Sequence, residues 1–179
     1  MIERCITSLL ICAALIACVP YERIASLELT RSQVPARLAV PTGNAEFLRA
    51  TGRGVQIYTC GRTDGGPSWT LSAPDAVLAN EAGFVSSHGA GPSWTAADGS
   101  SVVGRALAES ASPDEGAVPW LLVRAELSGE GTLAATTFIQ RLDTVGGVAP
   151  AGGCSAATLG AQARSPYSAT YVFFEASRT

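Results

Sequence analysis

One stretch of the chain gathers most of its chemistry: His88-Gly89-Ala90-Gly91-Pro92-Ser93-Trp94-Thr95-Ala96-Ala97-Asp98-Gly99-Ser100. It holds the only histidine, an indole, a carboxylate and several hydroxyls. Two readings are open. In the first, Asp98 orients His88, the imidazole acts as a base, and Ser100 or Ser101 is the nucleophile. A carboxylate partner would raise the imidazole pKa and burial would oppose it. In the second, His88 and Asp98 satisfy turn backbone and Trp94 is core, since a histidine near a carboxylate is common without chemistry. As a binding loop rather than a catalytic one, the stretch offers His88, Trp94 and Asp98 to a ligand.

Other candidates are weaker. Glu126 with Glu130, or Asp114 with Glu115, have the composition of a glycosidase pair, but flanking Gly and Ser mark them as solvated turns. The three tryptophans, with Tyr58, Tyr167 and Tyr171, are either a sugar-stacking face or core. Gln140, Arg141 and Asp143 fall on or just after a strand, where a surface ion pair is expected. "GPSWT" occurs at both Gly66–Thr70 and Gly91–Thr95. Beyond the five shared residues little aligns, so the two copies read as turn-and-strand grammar rather than as a structural repeat. Only the second copy, beside His88 and Asp98, reads as part of a functional loop.

Composition removes whole mechanisms. All twelve basic residues are arginine, so neither a lysine Schiff base nor a Gly-Lys-Ser/Thr phosphate loop can form. A single histidine excludes a multi-histidine zinc or iron site, and no metal or cofactor is expected. The nucleophile-elbow and dinucleotide-binding fingerprints are absent. Net charge is −3 with scattered arginines, which argues against a nucleic-acid partner.

The first residues, "MIERCITSLLICAALIACVP", read as a secretory signal with a short apolar stretch, Ile6–Ala17. Its end, Leu15-Ile16-Ala17-Cys18, resembles a bacterial lipobox. Acylation of Cys18 would then anchor the mature chain to the membrane, and Val19 after it fits an outer-membrane lipoprotein. The alternative is ordinary secretion. Residues 1–17 are thus leader, 18–40 a tether and 41–179 one domain. With Cys5 and Cys12 lost and Cys18 acylated, Cys60 and Cys154 remain, and a disulfide between them is the simplest reading.

The elements that must position these residues are strands. "GVQIYTCG" alternates with period two between glycines. "SWTLSAP" is a second strand, and Asp98-Gly99 is a hairpin turn. "VPWLLVRAELSG" and "GTLAATTFIQRLDT" are long strands joined through "SGEG", and "YSATYVFFEAS" closes the chain. "VGGVAPAGGCSAATLG" is a long Gly/Ala-rich loop. "PDAVLANEAG" is the one stretch of helical composition. The pattern is all-β: a single-domain β-sandwich or closed β-barrel with at most one short helix.

In order along the chain, "GVQIYTC", "H-x-x-GP-x-W-x-x-x-DGS", "VPWLL", "IQR-x-x-T-x-GG-x-AP…C" and "PYSATYVFF" resemble the DUF3455 family, secreted bacterial and fungal domains of no established function. The resemblance spans about Pro41 to Glu175. It implies domain boundaries, not an activity. Some members carry a malate dehydrogenase label, but this chain lacks the dinucleotide fingerprint such chemistry needs. Where the family often has an aromatic after the histidine, this chain has Gly89. The leading expectation is an exported, lipid-anchored module that binds a ligand or partner. The alternative is a small extracytoplasmic hydrolase using His88, Asp98 and Ser100.

Overall fold

The computed structural model describes residues 34–178, with Leu127 and Ser128 described by backbone alone. The expected leader, residues 1–17, and Cys18 lie outside the described residues. Eight antiparallel strands run up and down in chain order and close into a barrel: β1 Asn44–Thr63, β2 Gly66–Ala79, β3 Val85–Gly89, β4 Ser93–Ala96, β5 Ser101–Ser110, β6 Trp120–Ser128, β7 Thr136–Gly146 and β8 Gln162–Ala176. β1 pairs with β2 on one side and β8 on the other, which closes the ring and leaves no sandwich. No α-helix occurs among the described residues; two 3-10 turns, Ala36–Leu38 and Ala156–Thr158, are the only helical pieces. Asp75–Ala79, expected to favour helix, finishes β2 instead. There β2 is fixed by ladders to β1 and β3, and tertiary pairing overrides the propensity of Ala and Leu.

Period-two alternation sends one residue set into the barrel. From β1 these are Ala50, Gly52, Gly54, Gln56, Tyr58 and Cys60. Away from the β3–β4 tip the interior is filled with apolar side chains, among them Leu78, Val102, Leu133, Ile139 and Phe173. Gly52 has a packing reason: a Cβ there would stand 2.6 Å from the Tyr171 ring.

A second core lies outside the barrel. Leu38, from the 3-10 turn, is fully buried with Trp120, Leu122, Leu142 and Val172. Gln140 Nε2 donates to Leu38 O at 2.7 Å and pins the segment down. Residues 34–40, read from sequence as the end of a tether, thus form part of the folded domain. The expected disulfide is present: Cys60 on β1 joins Cys154 in the β7–β8 loop. Trp69 donates from its indole to Gly152 O of the same loop.

The strands differ in height, and this shapes the site. β3 and β4 are short. β3 pairs with β2 only along Ala76–Ala79, so Gly66–Asp75 of β2 rises with β1 as its one neighbour. β4 pairs with β5 only as far as Val103, so the rest of β5 has β6 alone. The barrel wall is therefore low at the β3–β4 tip, Ala90–Pro92.

Candidate functional site

A cavity of about 420 Å³ opens over this low wall. Its rim is the bulged part of β2 from Leu71 to Pro74, the tip Ala90–Pro92, Ala106 and Glu109 of β5, and Val118 and Pro119 before β6. Its inner lining is Gln56, Tyr58, His88, Leu121 and Arg141. The strand parities explain the set. Gln56 and Tyr58 share the inward face of β1 with Cys60. His88 pairs in register with Trp94, and both point into the barrel.

His88 is 4 % exposed. Its ring stacks on Trp94, with centroids 4.6 Å apart and planes 4° from parallel, and meets the edge of Tyr171 at 5.3 Å. Nδ1 lies 2.9 Å from Ser93 O; a carbonyl only accepts, so Nδ1 carries the proton and donates. Burial pushes the imidazole pKa down to about 4; the Ser93 bond opposes the shift, and the nearby Arg141 charge adds to it. His88 is therefore neutral at pH 7, with the Nε2 lone pair available as an acceptor. The sequence pointed to an Asp98 partner and a raised pKa. The structure shows the reverse, because burial acts with no carboxylate to offset it.

Asp98 and Ser100 sit elsewhere. The β4–β5 turn that carries them is at the opposite end of β4 from the β3–β4 tip. Asp98 Oδ1 accepts from Ser100 N and from Ser100 Oγ at 2.5 Å. Its Oδ2 accepts from Thr132 N and Thr132 Oγ1. These four bonds hold the Asp98 carboxyl well below the usual carboxylate range. Ser100 Oγ also accepts from Leu133 N. Asp98 thus ties the β4–β5 turn to the β6–β7 loop, and Ser100 is spent on the same tie. His88, Asp98 and Ser100 do not form one constellation.

The remaining candidates disperse as well. Trp94 and Trp120 are each 2 % exposed, on opposite faces of the sheet, so no shared stacking face exists. Glu126 pairs with Arg105 in an exposed ion pair. The expected ion pair of Arg141 with Asp143 does not form: Arg141 turns inward and Asp143 adopts φ 48° after it.

Two residues that matter were not singled out from sequence as site groups. Arg141 donates through Nε and Nη2 to Pro119 O, at 3.2 and 2.8 Å, and has no ion-pair partner among the described residues. Gln56 is 1 % exposed, and neither Oε1 nor Nε2 has a hydrogen-bond partner. One signal for Gln56 was present: it shares its strand face with Tyr58 and Cys60. Tyr58 OH donates to Gly147 O, and Tyr167 OH and Tyr171 OH lie 3.1 Å apart. Burial raises the pKa of all three phenols. The site can thus offer a guanidinium, a neutral imidazole acceptor and an unsatisfied amide beside an apolar wall.

No curated protein and no solved structure matches the chain. A family model described as "protein of unknown function (DUF3455)" matches residues 79–175. The matched stretch runs from the last residue of β2 into β8 and includes His88, Trp94 and Arg141. It leaves out nearly all of β1 and β2, which close the ring and supply Gln56 and Tyr58. On that match, which takes in more than half of its length, the chain belongs to the DUF3455 family.

Proposed function

We propose that this domain is the binding module of an exported envelope protein, anchored through lipid on Cys18, and that it takes a small ligand in the cavity over the β3–β4 tip. The observation that carries the binding half is the cavity itself, about 420 Å³ and lined by Gln56, His88 and Arg141. That volume falls in the range of small-molecule sites, which favour barrel mouths and combine apolar walls with a few polar groups. The second GPSWT supplies the cavity tip through Gly91 and Pro92, whereas no residue of the first lines it. The hydrolase alternative gains nothing from an imidazole whose neighbours are Ser93 O, Trp94 and Tyr171.

A thermal-shift screen on the mature domain tests the binding half, with Ala106→Trp as control. Ala106 is exposed on the rim, so an indole there fills the mouth without entering the core. A ligand at 100 times its Kd should stabilise the native chain by about 2.7 kcal/mol and the variant hardly at all. Equal shifts in both proteins would place binding elsewhere. The anchor rests on the Leu-Ile-Ala-Cys sequence, and mass spectrometry of the mature N-terminus tests it. An unmodified peptide beginning at another residue would overturn it.

A further inference from the structure

We infer that the cavity takes a small organic monocarboxylate, with its carboxylate on Arg141, its polar middle against Gln56 and its neutral body on the apolar wall. This rests on the cavity being the binding site, as proposed above. Arg141 supplies the guanidinium of the lining and Glu109 its carboxylate. The Arg141 side chain is braced by Pro119 O and unmatched by any carboxylate among the described residues. A planar guanidinium held at its rear edge suits a planar carboxylate, which can take two parallel N–H bonds.

Gln56 is the independent observation. A buried amide with neither end satisfied is costly, because both of its groups have given up water and gained no partner. Such a group is retained most readily where a bound molecule supplies both a donor and an acceptor. His88 Nε2 adds a second acceptor to the lining. Leu71, Pro74, Ala106, Val118 and Leu121 give the apolar surface for the rest of the ligand. Glu109, exposed on the rim, sets the limit of one charge. A second anionic group, or a phosphate with its charge of about −2, would meet that carboxylate with no further cation to balance it.

The probes are N-acyl amino acids, whose amide N–H and C=O can meet Gln56, with hippurate and N-acetylphenylalanine among them, their primary amides, and N-benzoylglutamate as a dianion. Each is titrated calorimetrically into the mature chain at pH 7. At least one acid should bind about tenfold or more tighter than its amide, a difference of about 1.4 kcal/mol. Raised salt should narrow that ratio. Arg141→Gln should bring it near one, and Gln56→Leu should weaken acid and amide together. Glu109→Gln should strengthen the dianion more than the monoacids.

Equal binding of acids and amides by the native chain would overturn the monocarboxylate, and so would binding of neutral library compounds alone. In either case loss of that binding in Ala106→Trp would leave the cavity intact as the site. Acid binding that Ala106→Trp does not disturb would overturn both readings. The acid-to-amide ratio and its salt dependence are read in the native protein, so the test survives even if Arg141→Gln does not fold.

Discussion

His88 and Asp98, ten residues apart and expected from sequence as partners, titrate for opposite reasons. The unfolded chain protonates His88 near its ordinary value of 6.5, whereas the fold delays this to about pH 4. Between those values the unfolded state holds more protons, so stability falls as pH falls. The loss should approach about 3 kcal/mol at the lower end, from the size of the shift. His88→Phe keeps a ring on Trp94 and should flatten this limb in urea unfolding measured from pH 7 to 4. The Asp98 pKa is lowered too, but by hydrogen bonds to its charged form, so its contribution is present above the ordinary carboxylate range and fades only below about pH 4. Asp98→Asn should flatten that lower limb and leave ligand binding unchanged. Loss of binding in Asp98→Asn would bring the Asp98 turn back into the site. Sequence inspection found His88 because histidine is rare here. It read Arg141 as part of a surface ion pair and passed over Gln56, because their significance lies in what they lack: a carboxylate partner and hydrogen-bond partners. Composition does not record an absence of that kind.

The short β3–β4 hairpin makes the site, and the segment before β1 makes the outer core. The turns of the hairpins were readable beforehand: Asp98-Gly99 does join two strands, and both Gly-Pro pairs do lead into strands. Strand existence follows from alternation and turn chemistry. Which face of each strand turns inward does not, because in β1 the buried face carries Gln56 and Tyr58 while Val55 and Ile57 take the other. The height of the wall was equally hidden, since it depends on how far β2 and β5 outrun the hairpin between them. Residues 34–40 were hidden because Leu38 finds its partners more than eighty residues away, at Trp120, Leu122 and Leu142. Leu38→Ala should cost about 2–5 kcal/mol, the range for a fully buried leucine. Thermal unfolding checks it. A loss under 1 kcal/mol would mean that the segment is not held by that contact.

The ring itself was one of two architectures open to the sequence. A sandwich and a barrel share strand number and alternation, and only the pairing of β1 with β8 separates them. The disulfide adds a covalent link between β1 and the last loop, joining cysteines separated by 94 positions. In the chain-entropy model a loop of about that size is worth about 4.7 kcal/mol, and removal of native bridges typically costs about 2–5 kcal/mol. Replacing Cys60 and Cys154 by Ser should lower stability by that amount in denaturant titration while leaving the strand signal in circular dichroism. An unchanged midpoint would show that the closed ladder constrains the chain by itself. Closure also has a consequence in time. A chain made from its N-terminus presents β1 first and β8 last. Until Gln162–Ala176 has been made, the β8 side of β1 has no partner, and neither has the far side of β7. For most of its synthesis the polypeptide is an open sheet with two free edges, the form most apt to add a foreign strand. A chain ending before Gln162 would remain in that form, so aggregation rather than partial activity is the expected fate of C-terminal truncations.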